Sequence, residues 1–186
     1  MRVLGIDPGS QVTGWGVVEG DANGRSYRMI EFGAVRLNSS ATFSSRLLKI
    51  SRALEDVITR LKPDACAIEE AFLANNPKVT LKLGQVRGVA LLAAESAALE
   101  IGEYSPRSIK QTVAGYGNAE KRQVQEMVRL LLSLPSVPEP HDAADALAVA
   151  ICHFHHAGMN SQLVAAQARM KSNVAVAGAT RRRAIR

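Results

Sequence analysis

The chain has 186 residues, of which 47% are hydrophobic and 22% are charged, values close to those of soluble globular domains. This length allows one well-buried core with at most a short appendage, and the composition excludes a mainly disordered chain. No apolar run approaches the roughly 20 residues that span a bilayer. An acid at position 7 argues against a secretion signal, and two cysteines without metal or redox spacing predict reduced core residues in a cytoplasmic protein.

The net charge of +6 is concentrated at one end of the chain. Residues 160–186 hold six basic residues and no acidic one, whereas the remaining 159 residues carry 17 of each. We therefore predict a folded domain over 1–158 and a basic, flexible C-terminal tail over 159–186. Because the domain itself is neutral overall, the high isoelectric point alone does not make it a nucleic-acid binder.

Three apolar segments open the chain and predict an antiparallel meander. They cover 3–6, 14–18 and 27–37, and residues typical of turns separate them. The apolar period then changes, and residues between 47 and 61 fall on one face of a helix predicted over 44–62.

The rest of the chain alternates strands and helices. Strands are predicted at 65–69 and 101–104, and helices over 79–99, 106–114, 119–132 and 142–154, with a proline-rich loop at 134–140. This order predicts an α/β fold with one mixed five-stranded sheet, antiparallel in its first three strands and flanked by helices. Gly84 and Gly88 lie four residues apart and give their helix a flat surface for close packing.

Four acidic residues occupy unusual positions. Asp7 and Glu69 each end an apolar strand, and Asp142 and Asp145 share one face of the apolar final helix. Three of them have an ordinary interpretation, such as an Asp-Pro-Gly turn at Asp7 or a helix cap at Asp142. Asp145, with no basic residue near it in sequence, is harder to explain structurally. However, strand ends and the start of a closely packed helix can bring all four carboxylates into one patch.

Such a patch indicates a particular chemistry. Four neighbouring carboxylates repel one another and retain protons unless cations neutralise them. Oxygen ligands suit Mg²⁺, the usual cation where phosphate is the substrate, and two metals can activate a water and stabilise the leaving oxygen of a phosphodiester. The residues alone therefore predict a metal-dependent phosphodiesterase.

Several basic residues and one aromatic residue are candidates for contact with a phosphate backbone. Lys110 and Lys121 flank a glycine loop, and a helix carries further basic residues at 78, 82 and 87. For any one of them alone, an ordinary solvated helix face is the better interpretation. Phe72 lies beside two asparagines, which indicates a loop and favours base stacking over a core position.

These motifs together resemble the RuvC family, the bacterial Holliday junction resolvases of the RNase H-like superfamily. The resemblance is carried by LGIDPGS at 4–10, TGWGV at 13–17, AIE at 67–69, LKLGQVRGV at 81–89, IKQTV at 109–113, AEK at 119–121 and DAADAL at 142–147. It runs in order from residue 3 to about residue 156 and leaves only the tail uncovered. Any one motif recurs elsewhere, but the ordered set is specific.

The resemblance implies a site and an activity. The implied catalytic carboxylates, which also bind two Mg²⁺ ions with Mn²⁺ as a substitute, are Asp7, Glu69, Asp142 and Asp145. The implied DNA-binding residues are Phe72, Lys110 and Lys121. The family acts as a homodimer with the RuvA–RuvB branch-migration complex and makes paired symmetric nicks in four-way DNA junctions. Water attacks in line, leaving 5′-phosphate and 3′-hydroxyl ends.

Two residues depart from the family pattern. Glu70 adds an acid beside Glu69, and His141 precedes Asp142, which leaves open which side chain is the fourth metal ligand. Two alternative functions remain open, a non-catalytic junction-binding protein and an RNase H-like nuclease that acts on RNA. Sugar kinases and actin-like ATPases begin with a similar turn, but they need two such domains and therefore a longer chain.

Overall fold

The first strand of the chain lies at the centre of a five-stranded sheet. The computed structural model describes residues 1–21, 26–70 and 76–158. Its strands are β1 (Arg2–Asp7), β2 (Val12–Gly20), β3 (Tyr27–Arg36), β4 (Ala65–Glu69) and β5 (Glu100–Tyr104), in the order β3-β2-β1-β4-β5. The first three strands pair antiparallel, whereas β4 pairs parallel with both β1 and β5. The predicted mixed sheet is confirmed.

Five helices connect and cover the strands. They are α1 (Phe43–Leu61), α2 (Pro77–Ser96), α3 (Pro106–Ala114), α4 (Lys121–Leu131) and α5, which covers 141–158. The sequence placed the start of α2 two residues too late. The Asn76 side chain accepts a hydrogen bond from the Lys78 N–H at 3.0 Å, and proline suits the first helical position.

The two faces of the sheet form two cores. Leu4 and Ile6 of β1 point towards α1 and α2, where they pack among residues such as Leu54 and Val86. Val3 points to the opposite face, where α3, α4 and α5 pack, because successive side chains of a strand alternate. The site therefore depends on which face of the sheet each strand-end side chain occupies.

Glycines let α5 lie unusually close to the sheet. A Cβ atom at Gly5 would lie 2.0 Å from the Ala146 carbonyl oxygen, and one at Gly14 would lie 1.9 Å from the Asp142 carbonyl oxygen. Because Gly14 pairs with Asp7 across the β1–β2 ladder, this packing brings the beginning of α5 to the end of β1.

The structure tests some of the remaining predictions and leaves others untested. Cys66 and Cys152 are buried and free, as predicted, and burial raises the pKa of the Cys66 thiol to about 12. No helix within the described residues has both the length and the apolar character needed to cross a membrane. Phe72 and the tail over 159–186 lie outside the described residues, so their predicted roles stay predictions.

Candidate active site

Two carboxylates lie side by side at the ends of parallel strands. Ile6 of β1 pairs with Ile68 of β4, so the next residues, Asp7 and Glu69, end the two strands together. Both follow the alternation that places their side chains on the α5 face of the sheet. Adjacent parallel strand ends are where open α/β sheets collect ligands, and here both ends are acidic.

The helix α5 adds a third carboxylate to the same cleft. Asp145 lines a cleft of about 300 Å³ together with Asp7, Glu69, Lys110 and Lys121. The structure thus brings together five of the residues that the sequence identified. Ile109 and Val124 form part of the apolar wall of this cleft.

Asp142 lies at the margin of this cleft. It contributes to a neighbouring hollow lined by Arg36 and His141. Its charge nevertheless acts on Asp7, since it is one of the carboxylates that raise the pKa of Asp7. Asp142 is therefore electrostatically part of the acidic cluster, and the adjacent His141 is exposed.

Burial and mutual repulsion strongly raise the pKa values of the two strand-end acids, Asp7 and Glu69. Burial raises the pKa of Asp7 to about 7, with added repulsion from Asp145 and Asp142, while Lys121 opposes the shift. Burial likewise raises the pKa of Glu69 to about 8, reinforced by Asp7 and Asp145 and opposed by Lys121 and Lys110. The cleft thus has too little positive charge to keep both carboxylates ionised near neutral pH.

One helix supplies two partners to Asp145. The Lys121 ammonium lies 2.5 Å from Asp145 Oδ2, and Gln125 donates from Nε2 to Oδ1 at 3.3 Å. Partial burial works against the charged form of Lys121, but the hydrogen bond to Asp145 and the surrounding carboxylates outweigh it and raise the pKa of Lys121.

Gln125 is a site residue that the sequence analysis missed. It is buried on α4 beside Val124 and Val128, in a pattern that predicts an ordinary amphipathic helix. The one available signal was its spacing, four residues after Lys121, which places both side chains on one helix face.

Two of the other candidate cations have structural partners. Arg87 of α2 forms an ion pair with Glu103 of β5, and the Lys82 ammonium lies 5.8 Å from the centre of the Phe43 ring. Glu70, the extra acid beside Glu69, is exposed, and its backbone N–H donates to the Tyr104 carbonyl oxygen at 2.9 Å. Its side chain is thus exposed to solvent and does not line the cleft.

The donor set suits a hard divalent cation. Carboxylate oxygens are the ligands that Mg²⁺ and Mn²⁺ prefer. Burial and then repulsion raise the pKa values of Asp7 and Glu69, and a nearby cation favours the ionised form of such carboxylates. Among the described residues, no three His, Cys, Asp or Glu side chains are already arranged to hold a metal ion.

A family model and individual known proteins match this chain to the same family. The sequence model of a family described as crossover junction endodeoxyribonuclease RuvC matches residues 3–153. A protein of that name from Chloroflexus aggregans is 52% identical over 157 residues, covering 84% of this chain and 94% of the relative. One from Geobacter sulfurreducens is 49% identical over 163 residues, covering 88% and 98%.

Solved structures show the same similarity. RuvC of T. thermophilus, in complex with its Holliday junction substrate, matches with a TM-score of 0.80 and 35% identity, covering 86% of this chain and 96% of that one. The yeast mitochondrial Holliday junction resolvase Ydc2 is 16% identical, with a TM-score of 0.60 over 89% of this chain and 85% of its own. At that identity the second match concerns the fold alone.

Proposed function

Since this chain belongs to the RuvC family of crossover junction endodeoxyribonucleases, we propose that it resolves four-way DNA junctions with a cation-dependent carboxylate site. The RNase H-like fold predicted from the sequence is the fold of this family. The observation that supports the site is the convergence of Asp7, Glu69 and Asp145 with Lys110 and Lys121 in one cleft.

The proposed cation ligands are the four acids that the sequence identified. Strand ends fix Asp7 and Glu69, and α5 presents Asp142 and Asp145 beside them. Two divalent cations, Mg²⁺ or Mn²⁺, would supply the positive charge that activates water and stabilises the leaving oxygen of a phosphodiester. The four side chains would hold these cations against the scissile strand.

The lysines would contact the phosphate backbone. Lys121 has a side chain that is 61% exposed, so its ammonium can leave Asp145 and reach a phosphate. Lys110 lines the same cleft from α3. Positive side chains at these positions balance the backbone charge that acidic ligands alone would repel. The stacking role of Phe72 rests on the sequence pattern alone.

We also propose that α2 forms a homodimer interface. Gly84 and Gly88 share a helix face with Leu81 and Leu92, and the two leucines are 70% and 66% exposed. A Cβ atom at either glycine would have no neighbour within 4 Å in the described part of the chain. An isologous contact between two such faces would give two identical sites, as paired symmetric nicks require. Family membership supports the RuvA–RuvB complex as a further partner.

The deciding experiment compares a synthetic mobile four-way junction with linear duplex DNA and RNA of the same sequence, in Mg²⁺, for the wild-type protein and Asp7→Asn. We expect paired symmetric nicks in the junction alone, with 5′-phosphate and 3′-hydroxyl ends, and their loss in Asp7→Asn. Tight junction binding without cleavage would instead indicate a non-catalytic junction-binding protein. Cleavage of RNA or linear DNA would contradict the proposed substrate.

A further inference from the structure

A buried amide contacts the acidic cluster from α4. Gln125 is only 5% exposed, and its Nε2 donates to Asp145 Oδ1 at 3.3 Å. We infer that Gln125 is a positioning residue that orients the Asp145 carboxylate for cation binding. This inference rests on the proposed function, because it assigns a supporting role beside the proposed ligand Asp145.

The two oxygens of Asp145 have different kinds of partner. Oδ2 contacts the Lys121 ammonium at 2.5 Å, and the Lys121 side chain is largely exposed. Oδ1 contacts an amide that is enclosed by the protein. Lys121 can therefore exchange its partner when a cation or a phosphate arrives, whereas Gln125 keeps its contact and holds the carboxylate in one orientation.

The chemistry of an amide suits this role. A second lysine or arginine at position 125 would neutralise Asp145 and weaken its attraction for a divalent cation. The carboxamide donates a hydrogen bond without carrying charge, so Asp145 retains its negative charge. Groups that hydrogen-bond to metal ligands in this way fix the ligand's orientation, and their loss commonly weakens metal binding about 10- to 100-fold.

The helix that carries this amide has a capped first turn. The side-chain oxygen of Gln123 accepts a hydrogen bond from the Glu120 backbone N–H at 2.8 Å, which sets the first turn of the helix. Gln125 lies in the next turn and is buried, as are Val124 and Val128. The amide therefore approaches Asp145 from a rigid element rather than from a loop.

A purely structural role for this buried amide makes a different prediction, and a matched pair of variants separates the two. Gln125→Met removes the donor and keeps the length of the side chain. Gln123→Met removes an amide from the same helix that contacts Glu120 and Tyr116 instead of the acidic cluster. Mn²⁺ binding to the DNA-free protein is measured by calorimetry, together with the Mg²⁺ dependence of junction cleavage and the melting temperature.

We expect Gln125→Met to bind Mn²⁺ about 10-fold more weakly than wild type and to need a correspondingly higher Mg²⁺ concentration for half-maximal cleavage. Its junction affinity without divalent cations stays at the wild-type level. Gln123→Met lowers the melting temperature and leaves both cation dependences unchanged. A Gln125→Met protein with wild-type Mn²⁺ affinity and a lowered melting temperature would overturn the inference and leave Gln125 a structural residue.

A second variant covers the case in which methionine disrupts the fold. Gln125→Asn keeps a buried amide but withdraws it by one bond, about 1.5 Å, and should weaken Mn²⁺ binding in the same direction. Failure of the proposed function has a different signature. If wild-type protein and Asp145→Asn show equal Mn²⁺ affinity, Asp145 is not a ligand and both proposals fail. If only the Gln125 variants match wild type, the positioning role alone is rejected.

Discussion

The ammonium of Lys121 lies 2.5 Å from Oδ2 of Asp145, so a residue predicted to contact DNA neutralises a residue predicted to bind a metal ion. Asp145 is largely shielded, with a side chain that is 18% exposed, whereas the lysine side chain is 61% exposed. The lysine therefore acts as the counter-ion of Asp145. Lys121 and a divalent cation should compete for Asp145.

This competition predicts opposite effects of one substitution on binding and on cleavage. Lys121→Gln should bind Mn²⁺ several-fold more tightly in the absence of DNA, because no ammonium competes for Asp145. The same variant should cleave junctions about 100-fold more slowly or worse, since a cation directed at the reacting phosphate is lost. Calorimetry and single-turnover cleavage measure the two effects.

Arg122→Gln is the matched control for Lys121→Gln. It removes the same charge at the next position of α4, where the side chain lines a different surface, beside Tyr116 and Met127. It should leave Mn²⁺ affinity unchanged. If both variants change Mn²⁺ affinity equally, the effect comes from net charge and the competition at Asp145 is refuted.

The raised pKa values of the strand-end acids predict a pH-dependent stability of the cation-free protein. Asp7 has a pKa of about 7 in place of 3.8, and Glu69 of about 8 in place of 4.5, both mainly through burial. Between about pH 4 and pH 8 the folded state thus binds more protons than the unfolded state, so the free energy of unfolding falls as pH rises. Saturating Mg²⁺ should flatten this dependence by stabilising the ionised carboxylates.

Urea unfolding at pH 5 and pH 8, with and without Mg²⁺, measures this dependence, and Asp7→Asn tests its cause. The variant cannot ionise at position 7 and should be more stable than wild type at pH 8 by about 1–3 kcal/mol in the absence of cations. At pH 5 the two proteins should differ little, because Asp7 is then protonated in the folded state. Equal stability at both pH values would show that Asp7 is not desolvated.

The glycines that face α5 predict a loss of stability when a side chain is added at their positions. Gly14→Ala would place a methyl group 1.9 Å from the Asp142 carbonyl oxygen, so α5 must move away from the sheet. We expect a loss of about 3 kcal/mol in the free energy of unfolding and reduced cleavage, because Asp142 and Asp145 move with the helix. Gly88→Ala, with no described atom within 4 Å of its new methyl group, should not destabilise the fold of the single chain. Urea unfolding of both variants checks the contrast.

The sequence predicted the parts of the site that local pattern encodes. Asp7 and Glu69 were recognisable because an acid directly follows an apolar strand, and parallel pairing then brings the two strand ends together. The Lys121–Asp145 contact joins residues 24 positions apart on different helices. A local sequence pattern does not predict a contact between residues so far apart in the chain. Gln125 was missed because one amide within an amphipathic helix looks the same whether it faces solvent or a carboxylate.

The exposed face of α2 gives the last prediction. Gly84 and Gly88 were expected to allow close helix packing, yet the described part of this chain places nothing against them. Gly84→Leu should therefore leave the far-UV circular dichroism spectrum unchanged. In a dimer it inserts two bulky side chains, and a cost of about 1–3 kcal/mol for each weakens association about 30-fold or more. Sedimentation equilibrium measures the change, and Arg52→Leu, at an exposed position of α1, controls for an added surface leucine. A Gly84→Leu protein that dimerises like wild type would exclude this face as the interface.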